Sequence, residues 1–271
     1  MNKRFFSDSH THSEHSFDGN DPVVMLCEQA IKLGLYSISI TDHCECNEYF
    51  SNNVRKSIEA SIIASGKARA GYSSKIKVYT GIELGQPTQN KLAADEVLSL
   101  CDYDFVIGSL HNLKNEQDFY FLEYNNNNVD SLLERYFKQL YELAVDDRFD
   151  SLAHITYPLR YIFNNNVTKE IKYNTYKEMI DEVLKVLVKN KKALEINTSG
   201  LRQKIGMTLP SEGIISRFRE LGGKYITIGS DAHRWGDIGS GLEEGYKLAE
   251  KCGFSYVTVF EKREPILLPI S

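Results

Sequence analysis

Of the seven histidines in this chain of 271 residues, six (His10, His12, His43, His111, His154 and His233) stand at or just past the end of a short strand-like run. Such runs are read at 4–9, 36–41, 75–84, 105–110, 150–153, 193–198 and 225–230, with a last one at 256–260. Between them apolar residues recur with helical spacing at 22–33, 54–70, 92–100, 131–145, 168–190, 210–221 and from Gly241 to Lys251. A helix after each strand supplies the crossover that parallel pairing requires. The alternation therefore predicts an α/β fold with a parallel sheet, as one domain over 1–271. Closure into a barrel suits about seven successive units better than an open doubly wound sheet, which stays open as the alternative. In a parallel barrel the carboxyl ends of the strands gather on one rim, where active sites are built.

Local signals agree with that frame. Asp21-Pro22 offers an N-cap with proline at the first helical position, and Gly34 closes the same helix. Residues 112–130 and 157–166 read as loops, the first carrying a run of asparagines at 125–128. Alternate side chains of an extended strand share a face, so His10 and His12 point the same way.

A lone histidine at a strand end is ordinarily a hydrogen-bonded structural residue. Six together, joined by the carboxylates Asp18, Glu83 and Asp231 in equivalent positions, imply a metal centre. Nine nitrogen and oxygen donors without a thiolate exceed one tetrahedral ion. They suit two or three divalent cations, zinc foremost, with manganese and iron as alternatives. Glu83 has two oxygens and lies near the middle of the set, which suits a bridging position. A cluster of this kind lowers the pKa of bound water to about 7 and holds both oxygens of an in-line displacement. That chemistry points to ester hydrolysis.

A net charge of −5 with no basic tract excludes a nucleic-acid partner, so a small phosphate ester would be met by metals or single arginines. Five irregularly spaced cysteines and no signal-like opening stretch predict a cytoplasmic protein. Cys44 and Cys46 follow His43, but no second cysteine pair completes a thiolate site. No apolar run approaches the roughly 18 residues that cross a bilayer, and nothing calls for an obligate protein partner.

The motifs His10-Thr-His12, Thr41-Asp-His43, Gly81-Ile-Glu83, Ser109-Leu-His111, Ala153-His154 and Ser230-Asp-Ala-His233 resemble those of the polymerase and histidinol phosphatase (PHP) family. The resemblance runs from His10 to the tail and implies a distorted (β/α)7 TIM-like barrel with three metal ions at its C-terminal rim. Carried over, His10, His12, Glu83 and Asp231 hold the first ion, and Glu83, His111 and His154 the second. The third takes His43, His233 and one ligand from the loop after His12. Asp18 is preferred there over His15, because Gly19 beside it gives the turn that aims it inward.

Within the family, Glu195-Ile-Asn-Thr-Ser-Gly-Leu-Arg202 and the tail from Gly253 to Arg263 resemble the monofunctional histidinol-phosphate phosphatases. This implies hydrolysis of L-histidinol phosphate to L-histidinol and phosphate in histidine biosynthesis. Two rivals stand beside it: a phosphoesterase for another small phosphate, such as a nucleotide or sugar phosphate, and a non-catalytic metal-stabilised module. Arg160 and Arg202, in loops beyond strand ends, and Arg234, beside His233, are candidates for bidentate phosphate contacts. Asp231 and His233 are candidates for delivering the leaving group's proton. Trp235 is expected in the core, with the substrate imidazole as its alternative partner.

Overall fold

The computed structural model describes residues 5–52, 54–163, 167 and 173–270. Among the described residues there are ten strands: β1 (Ser7–Thr11), β2 (Ser37–Ile40), β3 (His43–Glu45), β4 (Lys77–Gly85), β5 (Phe105–Ser109), β6 (Ser151–Leu152), β7 (Ala193–Asn197), β8 (Ile226–Gly229), β9 (Tyr256–Glu261) and β10 (Glu264–Pro269). The helices are α1 (Val23–Lys32), α2 (Val54–Tyr72), α3 (Lys91–Leu98), α4 (Val129–Asp146), α5 (Leu159–Ile162), α6 (Lys177–Lys189), α7 (Glu212–Glu220) and α8 (Leu242–Lys251).

Seven strands pair in the order β1-β2-β4-β5-β6-β7-β8, every neighbouring pair parallel. The ends of that ribbon meet. The Asp231 amide donates to the His10 carbonyl and the His12 amide to the Ala232 carbonyl, each at 2.8 Å. The result is a near-closed barrel, so the open doubly wound alternative falls. Helices wrap the outside and bury one continuous apolar cluster that reaches from Phe6 to Ile270.

The barrel departs from the sequence reading in several places. β3 was not foreseen: the chain past β2 pairs again with β4, matching His43 to Glu83. The last strand, expected at 256–260, forms as β9 and lies outside the barrel, pairing antiparallel with β10. Their tight turn places Lys262 and Arg263 at φ of 53° and 65°, without the Gly or Asn that ordinarily marks such a turn. This hairpin covers the amino-terminal end of the barrel, where Arg263 pairs with Asp150 at 2.8 Å and Phe260 stacks on Phe105.

Smaller differences follow local chemistry. Asp21 does not cap α1; its carboxylate accepts from the Trp235 amide at 2.7 Å. A short 3-10 turn, Phe119–Phe121, interrupts the first long loop, and α5 occupies part of the second. Elements of three or four residues are too brief for periodicity to reveal. Of the helix read at 168–190, residues 168–172 lie outside the described residues, as do residue 4 of the first strand and residues 164–166 of the second loop.

Candidate metal centre

The strand ends deliver the nine sequence-predicted donors to one rim. His10 lies within β1 and His12 just past it, His43 opens β3, Glu83 sits in β4, and His111, His154, Asp231 and His233 follow β5, β6 and β8. Asp18 arrives on the loop after β1. Glu83 is fully buried at the centre. Its Oε1 lies 3.1 Å from Nε2 of both His111 and His154. Its Oε2 lies 3.4 Å from His10 Nε2, 3.6 Å from His12 Nε2 and 2.8 Å from His43 Nδ1.

Asp231 Oδ1 adds a fourth corner, 3.8 Å from His10 Nε2 and 3.4 Å from His12 Nε2. Donors about 2.0–2.1 Å from a tetrahedral ion lie on the order of 3.3 Å from one another. The four separations among His10, His12, Glu83 and Asp231 fall close to that edge length. Asp18 similarly faces His43 Nε2 at 3.6 Å and His233 Nε2 at 3.2 Å. His15 lines the same cavity without a comparable ion-pair contact to either imidazole.

Unpartnered buried atoms mark the same places. His10 Nε2 and His12 Nε2 are buried with no hydrogen bond, an arrangement that costs free energy unless a ligand satisfies them, and His43 Nδ1 and Glu83 Oε2, 2.8 Å apart, have no well-directed one. The donor set therefore fits divalent cations. Four overlapping groups of three donors, among them His10, His12 and Glu83, and His12, His43 and His233, lie close enough to hold an ion.

The electrostatics are those of carboxylates packed among imidazoles. Burial works against charge on Glu83, yet His43, His111 and His10 overcome it and hold Glu83 well below the usual carboxylate range. Burial likewise opposes a charged His10, and Glu195, Glu83 and Asp231 outweigh it and raise the imidazole well above its ordinary value. His111 is pushed up to about 10 against its burial, by Glu45 and Glu83. His12 moves the other way, because burial and the neighbouring His233 and His43 rings disfavour its charge.

A second layer of residues orients these donors, and most of it escaped the sequence reading. Glu195 Oε1 lies 2.6 Å from His10 Nδ1, and Glu45 Oε1 lies 2.9 Å from His111 Nδ1. Asp42 accepts from the Ser13 amide at 2.6 Å and from the hydroxyls of Ser13, Ser16 and Ser61, which fixes the loop leading to Asp18. Ser16 Oγ in turn lies 3.2 Å from His12 Nδ1. The signal for Glu195 was available. A carboxylate between Leu194 and Ile196 in a buried strand needs a partner inside the barrel.

An open cavity of about 980 Å³ leads from the rim to solvent, with Phe17, Tyr120 and Phe121 on its walls. Tyr157 also lines it, its ring 4.8 Å from His111 and 4.9 Å from His154. Arg160 stacks on Tyr157 and reaches both Ser199 Oγ and Asp231 Oδ2 at 3.2 Å, while its Nε has no partner. Asp231 is held at φ 53°, a left-handed conformation that Asp tolerates better than most residues and that recurs at functional sites.

The other two arginines are not brought to the cavity. Arg202 donates to the carbonyls of Ser230 at 2.8 Å and Asp231 at 3.2 Å, so it braces the strand end. Arg234 is exposed and pairs with Asp237 at 2.9 Å. Trp235 is not a core residue, at 44% exposure, and does not line the cavity either. Cys44 and Cys46 are buried as free thiols, and neither joins a donor group.

A parallel barrel with nitrogen and oxygen donors converging at its carboxyl rim is an enzyme barrel with a site that could hold metal ions. The chain belongs to the PHP domain family, whose profile matches residues 8–199. It is 34% identical over 263 residues to a probable histidinol-phosphatase of Clostridium acetobutylicum, covering 94% of this chain and 97% of that one. A probable histidinol-phosphatase of Thermotoga maritima is 29% identical over 260 residues, covering 94% and 96%. Among solved structures, histidinol phosphate phosphatase from Lactococcus lactis, complexed with zinc, L-histidinol and phosphate, superposes with a TM-score of 0.74. It is 23% identical, and the match covers 96% of this chain and 98% of that one.

Proposed function

We propose that this chain is a metal-dependent phosphomonoesterase that hydrolyses L-histidinol phosphate to L-histidinol and phosphate in histidine biosynthesis. The observation that carries the reading is Glu83, whose two oxygens face five imidazoles beside an open cavity. The activity named for the relatives, matched nearly end to end, supports the same substrate.

Three ions, with zinc foremost, form part of the proposal. His10, His12, Glu83 and Asp231 would hold the first, Glu83, His111 and His154 the second, and Asp18, His43 and His233 the third. When bound, such ions lower the pKa of water and neutralise phosphate oxygens. Arg160 grips the phosphate from the cavity wall, its guanidinium held in place by Tyr157, Ser199 and Asp231. Asp231 and His233, 3.7 Å apart at the cavity edge, relay a proton through water to the leaving oxygen. Phe17, Tyr120 and Phe121 give the imidazole flat apolar surfaces.

Residues 1–271 act as one domain in this proposal, supported by the continuous apolar cluster. The proposed activity requires no nucleic acid, membrane or protein partner. Among the described residues no helix is long and apolar enough to cross a membrane. A cytoplasmic setting belongs to the same proposal, supported by five cysteines that are all free. The test is a panel of phosphomonoesters offered to metal-loaded protein, with metal content measured in parallel. Preference for histidinol phosphate is expected. Equal or better turnover of nucleotide or sugar phosphates would overturn the substrate, and turnover unaffected by chelation would overturn the metal centre.

A further inference from the structure

We propose that Glu195 is a positioning residue that fixes the proton of His10 on Nδ1, so that Nε2 presents its lone pair to the first ion; the inference rests on the metal assignment above. Glu195 has no exposed surface, and each of its oxygens has a defined task. Oε1 meets His10 Nδ1 at 2.6 Å. Oε2 accepts from the His154 backbone amide at 2.7 Å and from Asn197 Nδ2 at 3.2 Å. One carboxylate thus ties a donor of the first ion to the backbone that carries a donor of the second.

The tautomer follows from the acceptor. An ionised carboxylate can only accept, so the His10 nitrogen facing it must carry the proton. In the neutral ring the lone pair then resides on Nε2, the atom that points at Glu83 and Asp231 and has no hydrogen bond of its own. His111 Nδ1 faces the Glu45 carboxylate in the same way, at 2.9 Å, whereas His12 Nδ1 meets a hydroxyl and His154 Nδ1 has no hydrogen-bond partner.

This geometry makes Glu195→Gln a selective probe. The His154 amide is a fixed donor, so the glutamine oxygen must stay where Oε2 stands. The amide nitrogen then faces His10 Nδ1, which is forced to accept, and the ring proton moves to Nε2, where the metal needs a lone pair. The side chain keeps its size and its bond to His154.

The experiment is a zinc titration against a chromophoric chelator, with nitrogen-15 NMR of the histidine rings in zinc-loaded protein. Glu195→Gln is expected to retain the wild-type circular dichroism while zinc affinity at one site falls on the order of 10- to 100-fold, the usual effect of losing a ligand's orienting partner. Wild-type affinity at every site in the folded variant would overturn the proposal. Should the variant fail to fold, the wild-type spectrum decides: a proton on His10 Nδ1 with zinc on Nε2 supports it, and the reverse arrangement refutes it. Zinc stoichiometry of the wild type reports separately on the metal assignment, and its turnover on the substrate.

Discussion

Asp231 Oδ1 lies 3.4 Å from His12 Nε2, although the two residues come from opposite ends of the chain. They meet because the amides of His12 and Asp231 exchange hydrogen bonds with the neighbouring strand end and close the barrel. Closing the sheet is what brings these two donors together.

Glu83 faces the donors proposed for the first and second ions, so Glu83→Gln removes the charge that would hold those two cations together. We expect loss of at least one metal equivalent and a fall in kcat of three or more orders of magnitude, comparable to removing a central electrostatic element of an active site. Metal analysis beside steady-state hydrolysis checks this, and a variant with full metal content and near-normal kcat would contradict it.

Gly229 gives His10 room. A Cβ on Gly229 would collide with the His10 side chain and come within 2.8 Å of Glu195 Oε1. Gly229→Ala is therefore expected to weaken metal binding and activity together. Zinc titration of the variant at wild-type affinity would show that β1 and β8 can separate without harm to the site.

The three arginines should separate cleanly. Arg160→Lys loses bidentate geometry in the cavity, and kcat/KM is expected to fall by one to two orders of magnitude, about 1.4 kcal/mol for each tenfold. Arg234→Lys, at an exposed ion pair with Asp237, should leave kcat/KM unchanged. Arg202→Lys should lower thermal stability, because it braces the Ser230 and Asp231 carbonyls. Equal kinetic effects at Arg160 and Arg234 would remove Arg160 from the substrate site.

Protons and metal compete for the same imidazoles. Burial would lower His111 below 6.5, yet Glu45 and Glu83 push it up to about 10 in the metal-free protein. A raised folded-state pKa gives stability that is complete below 6.5 and is lost as the pH climbs towards 10. Burial opposes charge on Glu45 too, and His111 and His43 lower it to about 2, so its contribution exists above 4.5 and is lost as pH falls through 2. Chelated protein should therefore lose melting temperature between about pH 6.5 and 10, while zinc affinity rises with pH as bound protons become easier to displace. Melting curves and zinc titrations across that range check both signs, and a flat zinc affinity would count against the competition.

The terminal hairpin is a stability element remote from the chemistry. Arg263 pairs with Asp150, which is 6% exposed, and also donates to the Arg148 carbonyl at 2.7 Å. Arg263→Ala leaves a largely buried carboxylate without its cation. With Arg263 itself about one-third exposed, a cost of about 2 kcal/mol is expected, a drop of roughly 4–8 °C in melting temperature for a chain of this size. Thermal denaturation of metal-loaded variant and wild type measures it, and an unchanged Tm would mean the hairpin is held by Phe260 and its apolar neighbours.

The sequence by itself determined the parallel α/β architecture and the nine donors at its rim. Strand-helix alternation leaves parallel pairing as the economical solution, and histidines at or just past the ends of most of the strands are a local signal repeated along the chain. Only the tertiary structure decided how those donors are held. Glu195 and Glu45 orient histidines far away in sequence, β3 forms because β4 offers it an edge, and Arg202 faces backbone carbonyls that folding alone brings near. The β9–β10 turn lacks its usual residues, so its direction too was set by contacts at Asp104 and Asp150. Periodicity reports which residues share a face; which atom meets which across the barrel depends on strand register and closure, and neither is written in any local stretch of the chain.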